Sequence, residues 1–314
     1  ITNHQSPITN HQSPITNHSA MILEDLINYE AGRLGRANLF YGHGTDNPLD
    51  EACYLIAAVI GFDPVYSQYD PELEVTGEQQ DAIRQLVDKR ITTRKPAAYL
   101  VHKAWFAGLE FYVDETVLVP RSPVAELIEE RFSPWIEAGS VRRMLDIGTG
   151  SGCIAIACAR YFDHARVDAV DIDAVALKVA RRNVEAHGLT DRVRVIQSDL
   201  FAALGNNRYD LIIANPPYVS NEEMQELPME YNHEPASALQ SADEGLQHAI
   251  AILHAAADHL HDNGRLVLET GHSWPRLTAR YPDVPFFWFE FERGGEGVCM
   301  LEKTELQQWF PGES

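Results

Sequence analysis

Cysteine is scarce in this sequence. Only four cysteines occur among 314 residues, at Cys53, Cys153, Cys158 and Cys299. So few cysteines in a chain of this length do not suit a disulfide framework, and the spacing of Cys153 and Cys158 matches neither a CxxC redox motif nor a zinc knuckle. We therefore expect small core side chains, no metal centre and a reducing cytoplasm.

Long hydrophobic runs are also missing. Stretches such as residues 153–159 are far shorter than the ~18 apolar residues of a membrane-spanning helix. The residues before Met21 include no Lys or Arg and no apolar stretch, which argues against a secretory signal. The sequence thus predicts no membrane association.

Positive charge is the third shortage. Lys and Arg number 25 against 46 Asp and Glu, which gives a formal net charge of −21. Proteins that bind nucleic acid through its phosphates carry basic surfaces, and beyond the pair Arg181-Arg182 we identify no basic patch. The excess of acidic over basic residues argues against direct nucleic-acid binding. It suits a basic partner that is attracted by long-range steering, or it serves solubility alone.

The N-terminal third of the chain contains a repeat and then helical patterns. Residues 1–20 repeat the sequence ITNHQSP, and we interpret them as a tag or unassigned repeat that is excluded from the fold. Three histidines recur in it, at His4, His11 and His18. Residues 21–103 show helical hydrophobic spacing, including a buried helix over residues 51–60 that follows Asn47-Pro48. They predict a small N-terminal helical domain.

Residues 104–140 are predicted to form a hairpin and linker. Two aromatic and β-branched runs, 105–112 and 116–119, stand on either side of Asp114-Glu115. Such runs around a short polar turn predict the two strands of a hairpin.

Residues 141–314 alternate strand and helix. Predicted strands fall at residues 144–147, 167–170, 193–197, 211–214 and 265–269. Predicted helices fall at residues 152–160, 174–187 and 246–260. The last two apolar runs, 286–291 and 298–301, are joined by a glycine-rich turn and must pair antiparallel. Repeated strand–helix units build a mostly parallel, doubly wound α/β sheet, and the antiparallel end predicts the seven-stranded, Rossmann-like sheet of a class I methyltransferase.

A glycine-rich loop joins the first of these strands to its helix. It reads Asp146-Ile147-Gly148-Thr149-Gly150-Ser151-Gly152. Glycines let the backbone turn tightly and approach a ligand that a Cβ would obstruct. The acid two residues before the first glycine suits the cationic methionine end of S-adenosylmethionine, and the GxGxG form differs from the GxGxxG of dinucleotide enzymes. All members of the loop except Ile147 are candidate cofactor-binding residues.

Acidic residues end the next two strands. Asp171 stands 23 positions after Gly148, which is the spacing at which a carboxylate accepts hydrogen bonds from ribose hydroxyls. Asp199 is placed to reach the adenine amino group, and Leu200 to pack on the adenine ring. With the loop, these residues predict S-adenosyl-L-methionine as the cofactor. Turn glycines and solvated strand ends are the alternative interpretation.

The fourth strand ends in Asn215-Pro216-Pro217-Tyr218. The lone pair of an amide or aromatic amine nitrogen is delocalised, so such a nitrogen attacks a methyl sulfonium poorly. The Asn215 side-chain oxygen and the Pro216 carbonyl can accept its two N–H groups and aim its lone pair. The prolines stiffen the loop, and Tyr218 can lie against a flat acceptor. These four are the candidate catalytic residues, and Asn215 is also a candidate cofactor contact.

Glutamates crowd the segment after this tetrapeptide. They are Glu222, Glu223, Glu226, Glu230 and Glu234. Such a run is either a solvated loop or a rim that attracts a basic substrate. Glu269, at the end of the fifth strand, is a further candidate for the pocket, whereas His43 lies in a glycine-rich turn and is expected to be structural.

The order of these motifs resembles that of the protein glutamine N5-methyltransferases, from Met21 to about Lys303. The matching pieces are Leu118-Val119-Pro120-Arg121, residues 146–152, Asp171 and residues 215–218. The resemblance implies a helical substrate-recognition domain that a hairpin joins to a methyltransferase domain, with the cofactor and acceptor residues named above.

Three stretches resemble one branch of that family, which modifies ribosomal protein L-three. They are residues 41–48, Ala104-Trp105-Phe106 and the Ser122-Pro123 form of the linker, where the release-factor branch has Pro-Arg-Pro-Asp-Thr-Glu. The resemblance implies N5-methylation of a glutamine in this basic ribosomal protein, free or in an assembly intermediate.

Other functions remain open on the residues alone. Release factors carry the same reactive group, and methyltransferases of adenine or cytosine amino groups use the same tetrapeptide, although these must also bind and flip a base. A nicotinamide oxidoreductase and a non-catalytic binding module are the alternatives from other classes.

Overall fold

Four helices occur among the described residues of the N-terminal part. The structure is a computed structural model that describes residues 21–62 and 69–311, so the repeat at residues 1–20 lies outside the described residues. The helices are α1 (Leu23–Arg36), α2 (Pro48–Ile60), α3 (Gly77–Thr93) and α4 (Ala97–Val101). Their apolar faces meet around buried side chains that include Leu34, Leu55 and Ile83.

The signal that predicted the start of α2 acts as a cap. The Asn47 side chain accepts hydrogen bonds from the backbone N–H groups of Leu49 and Asp50, at 3.0 Å each. Pro48 occupies the first turn, where its missing N–H costs nothing and its fixed φ favours the helix. A two-stranded sheet of β1 (Met21–Ile22) and β2 (Glu74–Val75), which the sequence analysis did not predict, leads into α1 and α3.

The linker contains a hairpin, but its position differs from the prediction. Strand β3 (Ala104–Phe106) pairs antiparallel with β4 (Leu109–Phe111), so both strands come from the first aromatic run. The turn is Ala107-Gly108, with φ of 47° and 72°. Two successive positive φ values suit a tight hairpin turn because they match the twist of the paired strands. Asp114 instead accepts a hydrogen bond from the Thr116 N–H at 3.0 Å, and residues 116–119 are not a strand.

Seven strands form the main sheet, which confirms the predicted α/β class. They are β5 (Arg143–Ile147), β6 (Arg166–Asp171), β7 (Val193–Gln197), β8 (Tyr209–Ala214), β9 (Leu260–Glu269), β10 (Phe287–Trp288) and β11 (Val298–Glu302). Their order is β10-β11-β9-β8-β5-β6-β7. Strand β11 runs antiparallel to both of its neighbours, and the pairs from β9 to β7 are parallel.

Helices cover both faces of this sheet. They are α5 (Val124–Glu129), α6 (Cys153–Tyr161), α7 (Ala176–Ala186), α8 (Gln247–Ala256), α9 (Trp274–Arg280) and α10 (Lys303–Trp309). Alternate strand residues face opposite sides, so Met144 and Leu145 belong to separate hydrophobic clusters. Within the described ranges, no helix is both long and apolar enough to cross a membrane.

The strand order fixes where a ligand can bind. The chain leaves β5 toward β6 on one side, while β8 pairs with β5 on the other side. In an open parallel sheet such a reversal leaves a crevice beyond the carboxyl ends of the strands. The loops that follow β5, β6 and β8 therefore meet at one edge.

Candidate active site

A cavity opens at this reversal and brings most of the predicted residues together. Eight of them line it: Gly148, Gly150, Asp171, Asp199, Leu200, Asn215, Pro216 and Pro217. Glycine-loop and acceptor-loop residues thus share one cavity, although more than sixty positions separate them in the sequence. Asp146, Thr149, Ser151, Gly152 and Tyr218 do not line this cavity.

The glycine loop depends on backbone that only glycine adopts readily. Gly148, Gly150 and Gly152 have φ of 73°, 52° and 83°. A Cβ on Gly148 would stand 3.5 Å from the carbonyl oxygen of Asn215, whereas one on Gly152 would stand 3.4 Å from Ala180. Gly148 is therefore favoured by its backbone conformation and lies within van der Waals distance of the acceptor loop, and Gly152 sits where α6 packs on α7.

Asp171 ties the glycine loop to the end of β6. Its carboxylate accepts hydrogen bonds from the N–H groups of Gly150 and Asp173, at 2.9 Å each. Burial raises the pKa of Asp171 above its ordinary value. The carboxylate lines the cavity, where it can accept hydrogen bonds from ligand hydroxyls.

Asp146 lies behind the loop. One carboxylate oxygen accepts hydrogen bonds from the Thr149 hydroxyl at 2.5 Å and the Ala155 N–H at 3.1 Å. The other oxygen is buried without a hydrogen-bond partner among the described residues. Burial raises the pKa of Asp146 to about 7. An unsatisfied buried carboxylate oxygen at this position fits a cationic ligand group, and direct contact with the cofactor stays a prediction.

The adenine side of the cavity is built around a strained turn. Leu200 has φ of 44°, and the Ser198 hydroxyl donates a hydrogen bond to its carbonyl oxygen at 2.8 Å. The Ala203 N–H donates to the same hydroxyl at 3.0 Å. This network holds Leu200 and Asp199 at the cavity wall, where the sequence analysis expected an adenine ring.

Sequence reasoning missed part of the lining. The missed residues include members of the linker, of the turn near residue 236 and of α8: Thr116, Val117, Leu118, Pro235, Ser237, Ala238 and His248. Others follow or belong to β5, β6 and β7 and the start of α7: Ile147, Val170, Ile172, Asp173, Ala176 and Ser198. A nitrogen of the His248 ring lies 2.8 Å from the Ser241 hydroxyl, and burial lowers the pKa of this histidine. Apart from Leu118, which belongs to the matching stretch Leu118-Val119-Pro120-Arg121, the residues of the linker, the turn and α8 form no local motif, and only folding brings them to the cavity.

Tyr218 is a neighbour of the cavity, and Gly271 makes room for its ring. A Cβ on Gly271 would stand 2.5 Å from the Tyr218 ring, and one on Gly245 would stand 2.3 Å from the Tyr218 carbonyl oxygen. The Ser273 hydroxyl donates to that carbonyl at 2.8 Å. Burial raises the pKa of the Tyr218 phenol, so the hydroxyl stays protonated. Neither glycine was singled out from the sequence as a site residue.

Two glutamates after the acceptor loop are buried, so neither of the two interpretations, a solvated loop or an acidic rim, holds at these positions. Glu230 has no exposure and pairs with Arg94 at 2.7 Å. Glu234 accepts hydrogen bonds from both terminal nitrogens of Arg121, at 2.6 and 2.7 Å, and from the Val119 N–H at 3.1 Å. A buried carboxylate requires such partners. Because the partners lie in the helical part and in the linker, the two glutamates fasten this segment to both.

The arginines also set the protonation of these two carboxyls. Burial raises the pKa of Glu234, but the charge and hydrogen bonds of Arg121, together with those of His43, outweigh it and the pKa falls to about 2. The pKa of Glu230 is likewise below its ordinary value, since the Phe40 N–H and Arg94 outweigh burial. Glu223 also pairs with Arg276, while Glu222 and Glu226 are exposed.

Glu269 is a buried carboxyl at the end of β9. The Ser122 hydroxyl donates a hydrogen bond to it, and burial raises its pKa to about 7. It does not line the cofactor cavity. Its contact joins the linker to the strand beside β8, which carries the acceptor loop.

Similarity to known proteins agrees with this geometry. Residues 37–101 match the PrmC N-terminal domain, and residues 130–275 match the methyltransferase small domain. The ribosomal protein uL3 glutamine methyltransferase of Francisella tularensis subsp. tularensis is 41% identical over 91% of this chain and 92% of its own. That of Bordetella pertussis is 43% identical over 90% of this chain and 96% of its own.

Solved structures support the fold. The hMettl16 catalytic domain, crystallised with the MAT2A 3'UTR hairpin 6, aligns with a TM-score of 0.50 and 16% identity. The alignment covers 79% of this chain and 92% of that chain. At this identity the likeness concerns the fold alone.

The fold and the site define a class I methyltransferase that depends on S-adenosyl-L-methionine. Its glycine loop, strand-end carboxylates and acceptor loop share one cavity. The chain belongs to the protein glutamine methyltransferase family that the two curated relatives represent.

Proposed function

We propose that this enzyme methylates the side-chain nitrogen of a glutamine in ribosomal protein uL3, the protein called L-three above. The observation that carries the proposal is the position of Asn215, Pro216 and Pro217 in the wall of the cofactor cavity. An acceptor held by this loop would lie at the same cavity as the cofactor, which would supply an electrophilic methyl group when bound. Both curated relatives are named for the same reaction.

The acceptor loop acts by orientation. The Asn215 side-chain oxygen and the Pro216 carbonyl accept the two N–H groups of the glutamine amide, which fixes the nitrogen and turns its lone pair toward the cavity. Both oxygens then stabilise positive charge as it develops on the nitrogen. Once the methyl group has passed from sulfur to nitrogen, the nitrogen would be cationic and would release its proton to water, so the loop needs no strong base. The half-buried Tyr218 at the end of the loop has its ring against Gly271.

Cofactor binding falls to the remaining predicted residues. We propose that Asp171 accepts hydrogen bonds from the ribose, that Asp199 and Leu200 contact the adenine, and that Asp146 balances the cationic methionine end through the glycine loop. The glycines at 148, 150 and 152, with Thr149 and Ser151 between them, shape the backbone around this end.

The rest of the chain suits a basic protein substrate. We propose that residues 21–103 recognise uL3, that residues 104–140 link the two parts, and that residues 141–314 carry the chemistry. The formal charge of −21 attracts a polycation at long range. We place the reaction in the cytoplasm, on free uL3 or on assembly intermediates, where the side chain is still accessible.

Replacing Asn215 tests this mechanism. We expect Asn215→Ala to lower kcat for uL3 methylation by ~10²–10³-fold, because an oriented group that acts on developing charge is lost. Affinity for S-adenosylmethionine should change far less. Asn221→Ala, an exposed asparagine six residues on, is the matched control. Turnover above about a tenth of the wild-type value in the Asn215 variant would contradict the assigned role.

A further inference from the structure

A second cavity, of about 460 Å³, lies at the amino-terminal ends of β5, β6 and β7. We call it the arginine cavity, and its charged lining residues are Arg143, Arg166, Asp168, Asp191, Arg192 and Arg194. The cofactor cavity lies at the other end of the same strands, because β6 begins at Arg166 and ends at Asp171, about 16 Å away at ~3.3 Å per residue. The methyl transfer described above uses no lining residue of the arginine cavity, which is therefore a candidate for a separate binding site.

The strands gather the arginines on one face of the sheet. Arg143 is the register partner of Arg166, and Asp168 is the partner of Arg194. Residues two positions apart in a strand point to the same face, so Arg166 and Asp168 bring both pairs to one side. Arg192, just before β7, lines the same cavity. The four arginines come from three separate stretches, so no run in the sequence marks them as a basic patch.

This face of the sheet is left open because the connection from β7 to β8 contains no helix. Helices α6 and α7 connect β5 to β6 and β6 to β7, and α6 packs on the face of Met144, whereas Arg143 points to the opposite face. The chain reverses direction after β7, so the handedness rule puts the next connection on the arginines' face. Residues 198–208, all of which the structure describes, form turns there. The side chains of Arg143 and Arg194 are accordingly 39% and 60% exposed.

Asp168 holds two of the arginines in place. Its buried carboxylate accepts hydrogen bonds from Nε and Nη2 of Arg194, at 2.9 Å each, and from Arg143 at 3.3 Å. The Tyr209 hydroxyl donates to the same carboxylate at 2.7 Å, and the Cζ atom of Arg143 lies 5.1 Å from the centroid of the Tyr209 ring. Guanidinium groups that are already fixed in this way lose little freedom when they bind a ligand.

The arginine cavity carries an excess of positive charge in a chain with a formal net charge of −21. Four arginines stand against two aspartates, an excess of two positive charges. Asp168 offsets only one of its two arginines, and Arg192 donates to the backbone carbonyls of residues 162 and 163. Charged residues that flank the lining in the chain add two charges of each sign and leave the excess unchanged: Arg142, Asp163, Arg208 and Asp210.

Two of the arginines also oppose each other. Arg143 and Arg166 are directly paired across β5 and β6, and like charges at such positions repel. Among the residues that the structure describes, Arg166 forms no ion pair, and the exposed Asp191 pairs with neither arginine. An anion at the ends of these strands would remove the repulsion, so the arginine cavity favours an anionic occupant.

We propose that the arginine cavity binds a phosphate group. The fork of a guanidinium group matches phosphate oxygens in pairs. A phosphate monoester carries a charge of about −1.5 to −2 at pH 7, which matches the excess of positive charge in the lining, whereas a single carboxylate would leave half of that excess unbalanced. The phosphate can belong to a small molecule or to two neighbouring phosphodiesters of an RNA strand, and the test separates these sources.

Titration of inorganic phosphate, followed by phosphorus NMR, tests the site. The full chain is saturated with S-adenosylmethionine, so that the cofactor cavity is filled, and sodium chloride keeps the ionic strength constant. We expect Arg166→Gln to weaken phosphate binding about threefold to fivefold, the effect of removing one charge from a solvent-exposed pair. Arg181→Gln, which changes an exposed arginine outside the arginine cavity, should leave phosphate binding unchanged. Equal weakening in both variants would overturn the proposal.

Asp191→Asn supplies the opposite change. It removes a carboxylate from the lining and keeps every arginine, so we expect phosphate to bind about twofold to fivefold more tightly, a gain that damage to the fold would not produce.

An unphosphorylated uridine RNA of ten residues and an oligoglutamate of the same length are the further probes. RNA that binds more tightly than phosphate, and less tightly to Arg166→Gln, identifies RNA as the source of the phosphate. If neither phosphate nor RNA binds, or if oligoglutamate binds as tightly as both, the proposal is wrong. Because methyl transfer does not use the arginine cavity, such a failure leaves the proposed function standing.

Discussion

Carboxylates on the two sides of the cofactor cavity are held in opposite ways. On the cofactor side, Asp146 and Asp171 accept hydrogen bonds from a hydroxyl and from backbone N–H groups, and burial raises the pKa of both. On the acceptor side, Glu230 and Glu234 are paired with arginines, and the pKa of both is lowered.

This difference in partners distinguishes carboxylates that can bind a ligand from carboxylates that hold the fold together. Asp146 and Asp171 pair with no arginine or lysine among the residues that the structure describes, so they can still gain from a ligand's cationic or hydroxyl groups. The charges of Glu230 and Glu234 are already compensated within the protein. Removing a carboxylate should therefore weaken ligand binding on the first side and folding on the second.

The largest effect on folding is expected at Glu234. Glu234→Gln leaves the Arg121 guanidinium without its bidentate partner, and we expect a loss of about 3 kcal/mol of unfolding free energy at pH 7. The lowered pKa means that this stability is present above the carboxyl's ordinary pKa and is lost as pH falls toward 2. Urea unfolding should thus show the gap between wild type and variant closing in acid.

The exposed Glu226 supplies the control for that measurement. It lies in the same segment, and Glu226→Gln should change the unfolding free energy by no more than ~0.5 kcal/mol. If the two variants lose equal stability, Glu234 does not fasten the segment and the comparison fails.

A smaller effect, on ligand affinity, is expected at Asp171. Asp171→Ala should weaken S-adenosylmethionine binding by about 1.5–3 kcal/mol, because hydrogen bonds to a charged group are lost. Calorimetric titration measures this directly. The exposed Asp191, which lies outside the cofactor cavity, gives the control Asp191→Ala, and affinities equal to wild type in both variants would remove Asp171 from the site.

The smallest effect is expected for the replacement of Asp146. It should raise the unfolding free energy, whereas the replacement of Glu234 should lower it. The pKa of Asp146 is raised to about 7, so its ionised form destabilises the folded protein increasingly as pH rises from about 4 to 7. Asp146→Asn keeps a carbonyl oxygen for Thr149 and Ala155 and removes the charge. At pH 8, without ligand, we expect a gain on the order of 1–2 kcal/mol in unfolding free energy.

Thermal unfolding of the Asp146 variant at pH 5 and pH 8 checks that sign. The melting temperature should exceed that of the wild type more at pH 8 than at pH 5, while S-adenosylmethionine stabilises the variant less. A variant that is less stable than wild type at pH 8 would show that the carboxylate is structural, like Glu234.

Local motifs predicted those site residues that lie at, or within a few residues of, the end of a strand. Gly148 and Asn215 each follow a strand, Asp171 ends one, and a parallel sheet brings successive strand ends to one edge. The fold class followed from the same alternation of strand and helix. These features were predictable because their signals are short and their placement follows from the sheet.

Long-range contacts were not predictable in this way. Glu230 and Glu234 form an acidic run in the sequence, but their partners Arg94 and Arg121 lie more than a hundred positions earlier. His248 reaches the cavity only because α8 packs beside β8 and β9. The hairpin was misplaced for a related reason, since the turn is decided by the left-handed backbone at Ala107-Gly108 rather than by the more polar Asp114-Glu115.

The central claim is that the acceptor is a glutamine side-chain nitrogen in uL3. Mass spectrometry of three parallel reactions tests it, with free uL3, a release factor and naked nucleic acid each incubated with enzyme and S-adenosylmethionine. We expect one methyl group on a glutamine of uL3 and little or none on the other two. Preferential labelling of the release factor would contradict the assigned substrate, and a methyl group on adenine or cytosine would contradict the acceptor class itself.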